Sequence, residues 1–231
     1  MAKKRSKRYK AAAEMVDSTA VYSIEDAVSL VKKFPAPKFD QTVTLTFRMG
    51  VDPRQSDQMV RGTCPLPHGS GKDVRVLVFA EGEAATEAKN AGAEHVGFEA
   101  LIKEVLGGFM DFDAVIATPS AMSEVRKLGR QLGPRGLMPN PKTGTVTDDT
   151  AGAVKAVKAG RIDFKLDKNG NISVPIGKLS FEETALIENG KAVADSINGA
   201  RPATAKGIFL VKGALTATMV PGITVDVSAW H

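Results

Sequence analysis

The sequence predicts two domains, one of α+β and one of α/β class, with the α/β domain inserted into the other. Strands near both ends of the chain alternate apolar and polar side chains, which is typical of a sheet with one buried face. The strands between them are apolar without alternation and are separated by helical patterns, which favours a parallel sheet covered on both faces. We expect one domain from residues 1–70 and 160–231, with residues 71–159 inserted as the other.

The first part of the chain predicts a helix followed by a half-buried strand. Ser23 and Asp26 match a capping box, and apolar residues follow at helical spacing until Pro35. Residues 42–47 then alternate three threonines with three apolar residues, so one face of the strand is polar and available. Residues 50–73 show no periodicity and end in a stretch rich in proline and glycine, which indicates a boundary.

The middle of the chain alternates short apolar strands with helices, as a parallel α/β domain requires. Pro119 is suited to open one of these helices because proline is favoured in a first helical turn. The expected elements are a strand at 74–80, an alanine-rich helix, a strand near 95–96, a helix around 101–106, a strand at 113–118, a helix from 119 to 132, a loop at 133–144 and a helix around 151–157.

The last part of the chain returns to alternating strands. Asn169 and Gly170 lie between two such runs and predict a β-hairpin. A long helix with an apolar side over 186–197 follows, and two strands near 207–211 and 223–227 end the chain. The crossings between the domains fall in glycine-containing segments, so we expect a hinge there. The expected hinge residues are Gly69, Gly71 and Gly160.

Composition and charge exclude several classes of protein. The 231 residues are 43% hydrophobic and 25% charged, which is typical of a globular protein. A single cysteine permits no intrachain disulfide, and no apolar run reaches the length of a membrane span. Residues 1–10 hold six basic residues and no acid, and the net charge of the whole chain is +5. Binding to nucleic acid would therefore use this basic tail, as a solvated arm or a supplementary phosphate contact, and a local patch.

The sequence contains no catalytic motif. The three histidines are far apart and have no metal-ligand spacing. Residues 69–72 read Gly-Ser-Gly-Lys but lack the first glycine and the final Ser or Thr of a phosphate-binding loop. Paired acids precede expected helices, where they stabilise the helix start. We expect no enzyme activity, no cofactor and no metal site.

The most distinctive segment is the loop at 133–144. Its three glycines and three prolines make it a shaped loop, and two cations make it moderately basic. It is either a rigid cap over the inserted domain or a protrusion that contacts RNA or a partner. Its candidate contact residues are Gly133, Arg135, Gly136 and Lys142.

The string LGPRGLMPNPKTGTV at 132–146 resembles the signature loop of the large-ribosomal-subunit stalk proteins, the family numbered one in that subunit's series. Similar motifs extend in order over nearly the whole chain, and they include Leu66-Pro67-His68-Gly69, Asp167-Lys168-Asn169-Gly170 and Thr218-Met219. One departure from the family is Val220-Pro221, where glycine usually follows Thr-Met.

This resemblance implies a split α+β sandwich domain with an inserted Rossmann-like α/β domain that binds no nucleotide. It implies a structural constituent of the large subunit that binds 23S-type rRNA and forms the mobile stalk. It also implies a part in the release of deacylated tRNA from the exit site, and repression of its own operon through binding of its mRNA. Such a protein is expected in the cytoplasm, as a monomer within the ribosome, away from membranes.

The resemblance places the rRNA contacts on the split domain. Threonine hydroxyls can bond to RNA hydroxyls and phosphates, and phenylalanine or methionine can pack against riboses and bases. By residue type alone, core packing is the simpler account of the Phe and Met involved. The expected rRNA contacts are Lys38, Phe39, Thr42, Thr44, Lys165, Lys168, Lys212, Thr218 and Met219.

The sequence leaves two other functions open. A free-standing RNA-binding translational regulator would use the same surface without entering the ribosome, and it would not sediment with large subunits. A nucleotide-binding α/β enzyme would need a phosphate-binding loop on the inserted domain, which the sequence lacks.

Overall fold

The computed structural model describes residues 5–230 and shows a mixed α/β protein. The chain divides into two compact units. We call Met1–Gly71 with Ile162–His231 the split unit, and Lys72–Arg161 the inserted unit. None of the helices within 5–230 combines the length and the apolar composition that a membrane crossing requires.

In chain order the helices and strands are α1 (Lys7–Glu14), α2 (Ile24–Lys33), β1 (Thr42–Met49), β2 (Arg61–Pro65), β3 (Val76–Phe79), α3 (Gly82–Asn90), β4 (His95–Gly97), α4 (Glu99–Leu106), β5 (Ala114–Ala117), α5 (Met122–Val125), α6 (Gly129–Arg135), α7 (Thr150–Lys158), β6 (Arg161–Lys165), β7 (Asn171–Lys178), α8 (Glu183–Gly199), β8 (Leu210–Ala217) and β9 (Ile223–Val225).

The split unit is built on a four-stranded antiparallel sheet in the order β7-β1-β8-β9. Val43, Leu45 and Phe47 of β1 are buried and share one core with the apolar sides of α2 and α8. Helix α2 begins as predicted, because the Ser23 hydroxyl accepts a hydrogen bond from the Asp26 amide at 3.0 Å. The predicted helix and alternating strand are therefore confirmed, and their apolar faces form one side of the unit.

The inserted unit contains a three-stranded parallel sheet in the order β4-β3-β5. Leu77 and Phe79 of β3 pack with α4, α5 and α6 on one face of this sheet. Val76 and Val78 pack with α3 and α7 on the other face. The continuous apolar run of β3 is explained by this arrangement, since successive side chains of a strand enter opposite layers.

On each side of the first crossing between the units, the chain is hydrogen-bonded to the unit to which it belongs. Asn189 is fully buried on α8; its side chain accepts from the His68 amide at 3.1 Å and donates to the Gly69 carbonyl at 3.1 Å. In the inserted unit, Lys72 Nζ donates to Asp113 at 2.6 Å. This bond is the main cause that lowers the pKa of the Asp113 carboxyl below its ordinary value. The residues before and after the crossing are thus fixed locally.

The predicted β-hairpin at Asn169 and Gly170 is wrong, although the turn is present. The Asp167 carboxylate accepts from the Asn169 and Asn171 amides at 2.8 and 2.7 Å, and the Asn171 bond is the main cause of the lowered pKa of Asp167. However, β6 pairs with β2 in a separate two-stranded sheet, whereas β7 pairs with β1. Each strand finds its partner in a distant segment, which the local turn signal does not reveal.

Other boundaries also differ from the expected ones. Strand β2 lies inside 50–73, where no periodicity was visible, and the strand expected near 207–211 is β8 at Leu210–Ala217. The helix expected from 119 to 132 is split into α5, a 3₁₀ turn and α6, and α6 extends into the expected loop with Pro134 inside it. The compact units divide after residues 71 and 161, whereas the sequence suggested divisions after residues 70 and 159.

The basic tail expected at 1–10 is partly helical. Residues 1–4 lie outside the described residues, and residues 7–10 form the first half of α1. The Ser6 hydroxyl caps this helix by accepting from the Tyr9 amide at 3.2 Å. Ala12 on the following turn is fully buried in the core of the split unit. The segment is therefore a docked helix as far as it is described.

Candidate nucleic-acid interface

The sheet of the split unit has a second face whose side chains are partly or fully exposed. Alternation along β1 places Thr42, Thr44, Thr46 and Arg48 on it. The strand registers then add the residues opposite them on the neighbouring strands. We call this surface the open face; its members on the other strands are Asn171, Ser173, Pro175, Lys178, Lys212, Ala214, Thr216 and Thr224.

Hydroxyl groups run along the open face from its middle to one end. Thr46 Oγ1 and Ser173 Oγ lie 3.0 Å apart across the β1–β7 pair, and Lys178 Nζ donates to Thr42 Oγ1 at 3.1 Å. A hydroxyl can both donate and accept, so such a surface can bond to 2′-hydroxyls and to phosphate oxygens. The arrangement fits RNA better than an apolar partner.

One end of the open face concentrates positive charge. Arg48 and Lys212 are exposed and directly opposite each other in the β1–β8 register. Over residues 5–230 neither side chain takes part in an ion pair. Like charges directly opposite in a sheet are unfavourable, and an anion between them would reverse that effect. This end of the sheet can therefore receive a phosphate.

The other end of the open face carries a strained turn between β8 and β9. Met219 has φ of 66° and is the one residue other than glycine with positive φ in the described chain. Two hydrogen bonds hold the turn in place. The buried Gln41 side chain donates to the Thr218 carbonyl, and the Thr218 amide donates to the Thr42 carbonyl at 3.2 Å. A left-handed conformation costs a residue with a Cβ about 1–2 kcal/mol, and such strain concentrates at functional sites.

Four of the expected rRNA residues meet at this end. Thr42 and Thr44 stand on β1 beside the turn that holds Thr218 and Met219. Phe39, in the segment that leads into β1, is 47% exposed and Met219 is 65% exposed. Core packing, the account favoured by residue type, is therefore wrong for both side chains.

The remaining expected residues are more scattered. Lys38 is exposed next to Phe39, and Lys212 lies at the basic end of the open face. Lys168 is exposed in the turn before β7. Lys165 is exposed on β6, which belongs to the two-stranded sheet and not to the sheet of the open face. The structure thus places three of the nine expected residues on the sheet of the open face and five in segments next to its strands, and it separates Lys165 from them.

Sequence reasoning missed several members of the open face. Thr46 and Arg48 continue the alternation of β1, so that pattern alone could have found them. Ser173 lies between two buried residues of β7 and carried the same signal. Thr216 and Lys178 could be assigned to this face only from the strand registers, which the sequence does not give.

The departure from the family at Val220 is accommodated without strain. Val220 is buried and keeps negative φ, because the left-handed residue of the turn is Met219. Its amide donates to the Ala217 carbonyl at 3.2 Å and closes the turn. A side chain at position 220 therefore adds to the core and leaves the exposed residues of the turn in place.

In the inserted unit the distinctive segment is shaped by its own hydrogen bonds. Arg135 ends α6, and Gly136 reverses the chain with φ of 74°. The Asn140 side chain accepts from the Lys142 amide at 2.8 Å, and the Thr143 hydroxyl donates to the Asn140 carbonyl at 3.1 Å. Gly133, Arg135, Gly136 and Lys142 are all exposed. The segment is a shaped basic loop that packs Leu137 and Met138 against the core of its unit and leaves both cations exposed.

The three expected hinge glycines all have positive φ, at 68° for Gly69, 67° for Gly71 and 101° for Gly160. A Cβ on Gly71 would approach Lys178 and Phe181 to 2.9 Å, so this position also needs the absence of a side chain. Over the described residues, no three histidine, cysteine, aspartate or glutamate side chains are placed to hold a metal ion.

Comparisons with known proteins agree with the resemblance seen in the sequence. The profile of the ribosomal protein L1p/L10e family matches residues 31–221. A protein of Bifidobacterium longum subsp. infantis named large ribosomal subunit protein uL1 is 59% identical over 223 residues, which cover 96% of this chain and 97% of the relative. The protein of that name from Bifidobacterium adolescentis is 54% identical over 222 residues, 96% of each chain. The one from Beutenbergia cavernae is 54% identical over 223 residues, 96% of this chain and 94% of the relative.

Replacing Met219 by glycine separates the effect of the strained turn on stability from its effect on RNA binding. Glycine adopts positive φ freely, a relief of about 1–2 kcal/mol, but it is more flexible when unfolded by about 0.5–1 kcal/mol. We expect the free energy of unfolding of Met219→Gly to stay constant or rise by up to about 1.5 kcal/mol, and affinity for large-subunit rRNA to fall about tenfold.

The matched control is Met59→Gly, because Met59 is also exposed but has φ of −71°. This variant should lose a little stability and bind RNA normally. Denaturant unfolding and filter binding measure both quantities. A destabilised Met219→Gly protein that binds RNA normally would show that Met219 serves the fold only.

Proposed function

The chain belongs to the ribosomal protein L1p/L10e family, and from this membership we infer that it is a structural constituent of the large ribosomal subunit. The profile match and the relatives both extend over most of the chain, and the profile match includes strands β1, β7 and β8 of the open face. The family is one of structural proteins that bind rRNA. In this role the protein works in the cytoplasm as part of the ribosome.

We propose that the open face and the turn at its strained end are the rRNA-binding surface. The single observation that carries this assignment is the exposed Met219, held at positive φ beside Thr218 by buried and backbone partners. A fold keeps such strain only where surrounding contacts impose it, and here they present two side chains that suit RNA. The hydroxyls along β1 extend the same surface, and the Arg48–Lys212 pair offers it a phosphate site.

We also propose that the split unit is the rRNA-binding domain and that the inserted unit is a Rossmann-like domain without a nucleotide. The parallel sheet of the inserted unit, with apolar layers on both faces, supports this class. The positive φ of Gly69, Gly71 and Gly160 and the local anchoring by Asn189 and Asp113 support a hinge confined to short crossings.

For the inserted unit we propose a contact with the deacylated tRNA at the exit site. The basic loop at 133–144 supports this role, since its backbone is fixed by internal hydrogen bonds while Arg135 and Lys142 stay exposed. A rigid loop loses little conformational entropy when it binds, so two cations on it can contact a phosphate backbone efficiently. The protein would act as a monomer within the ribosome.

Repression of the protein's own operon is a further part of the proposal. One surface can bind both rRNA and an mRNA segment of the same shape, so the open face would serve both RNAs. A free-standing regulator would use the same surface, and its absence from large subunits in a sucrose gradient would identify it.

Thr218→Val tests the rRNA surface most simply. Within residues 5–230 the Thr218 hydroxyl forms one bond, a long one of 3.4 Å to the Thr42 carbonyl, so its loss should cost the fold little. A hydroxyl that bonds to RNA is worth about 1–3 kcal/mol when the complex buries it. We expect an affinity loss of that order for large-subunit rRNA, with an unchanged melting temperature. Thr204→Val, at an exposed threonine outside the sheet, is the control. Equal binding by both variants would contradict the proposed surface.

The tRNA role is tested by the double variant Arg135→Gln and Lys142→Gln in reconstituted ribosomes. Both side chains are exposed and in the inserted unit, so rRNA binding and subunit assembly should be unaffected. We expect slower or faster release of deacylated tRNA from the exit site than with the parent protein. Lys89→Gln with Lys103→Gln, at exposed lysines of the same unit, is the control. An unchanged release rate in the loop variant would exclude this contact.

A further inference from the structure

We propose that Arg8, on the N-terminal helix α1, belongs to the rRNA-binding surface and contacts an RNA phosphate beside Met219. This inference rests on the proposed function of the open face. It changes the role of the basic segment, because a tail that only supplements affinity becomes a positioned part of the recognition surface.

The first observation is that α1 is held against the split unit. A helix of eight residues is marginal by itself in water, so its order must come from packing. Ala12 supplies that packing, since it is fully buried in the same core as the apolar face of β1. Arg8 lies one turn before Ala12 on the same helical face. The position of Arg8 is therefore fixed by the core.

The second observation is that the cations in the first turn of α1 do not stabilise the helix. Its first turn holds Lys7, Arg8 and Lys10 and no acid. Cations at the N-terminus of a helix oppose its dipole and lower its stability. Because this placement costs free energy in the isolated protein, an anionic partner is the physical reason for keeping it there.

The third observation is the environment of the Arg8 guanidinium. One of its terminal nitrogens, Nη2, lies 3.7 Å from the sulfur of Met219, which is a weak acceptor. Its Nε is shielded from solvent and has no hydrogen-bond partner. Within the described chain, no carboxylate forms an ion pair with Arg8. A planar guanidinium with unused donors matches a phosphate, which can accept from two nitrogens at once.

The other cations of the segment are placed differently. Arg5 lies over the Tyr9 ring at 4.5 Å from its centroid, and Lys7 and Lys10 are exposed. Of the four described cations in this segment, Arg8 is the one that has a hydrogen-bond contact with the strained turn. Since Nε is shielded, a phosphate would bond to the terminal nitrogens of Arg8, one of which adjoins Met219. The contact should therefore form only with RNA seated on that turn and favour the specific complex. Exposed lysines should instead attract any RNA equally.

The experiment compares Arg8→Gln with Lys7→Gln and Lys10→Gln, which remove one charge each from the same helix. Filter binding at one fixed salt concentration uses two probes, purified large-subunit rRNA and small-subunit rRNA. We expect Arg8→Gln to lose about tenfold in affinity for large-subunit rRNA and much less for small-subunit rRNA. The lysine variants should lose less than about threefold, and equally on both RNAs.

Arg8→Met is the second variant, because it keeps an unbranched stem against Met219 and removes every donor. It must show the same selective loss, with an unchanged melting temperature. If the parent protein prefers large-subunit rRNA but Arg8→Gln and Arg8→Met behave like the lysine variants, the inference about Arg8 is wrong and the proposed function stands. If the parent protein itself shows no preference for large-subunit rRNA, the proposed function fails whatever the variants do.

Discussion

The split unit depends on the two different faces of strand β1. The strand is hydrogen-bonded to β7 on one side and β8 on the other, so it is the centre of the sheet. Its apolar residues meet α2 and α8 in the core, and its threonines stand on the open face. A shift of the strand by one residue would exchange the two faces completely. The same alternation therefore stabilises the fold and presents the surface that we assign to rRNA.

Much of this architecture could be predicted because it is periodic in the sequence. Three elements show this: the half-buried β1, the capped helix α2 and the continuous apolar β3. The local pattern of each is compatible with one arrangement only. Pairing between distant segments has no such pattern. The Asn169-Gly170 turn predicts a hairpin, yet β6 and β7 join different sheets because β2 and β1 are their partners. Likewise β2 is too short and mixed in composition to stand out within its segment.

The candidate site was predictable in its residue types but not in its geometry. The family resemblance pointed to Thr218 and Met219, while the left-handed backbone of Met219 is invisible in the sequence because methionine has no preference for it. The sequence could not predict the role of Arg8 either, since a basic segment is usually solvated. In the described part of that segment, the burial of Ala12 joins it to the core of the split unit, and the contact of Arg8 with Met219 joins it to the strained turn.

The central claim is that the strained turn and the open face lie against rRNA in the complex. Oxidative footprinting of the intact protein measures this directly, because a methionine is oxidised at a rate that follows its exposure. Met219 and Met59 are 65% and 41% exposed in the free protein and are both in the split unit. Bound to large-subunit rRNA, Met219 should be protected several-fold while Met59 oxidises as before. Oxidation of Met219 at its free rate in a saturated complex would contradict the account.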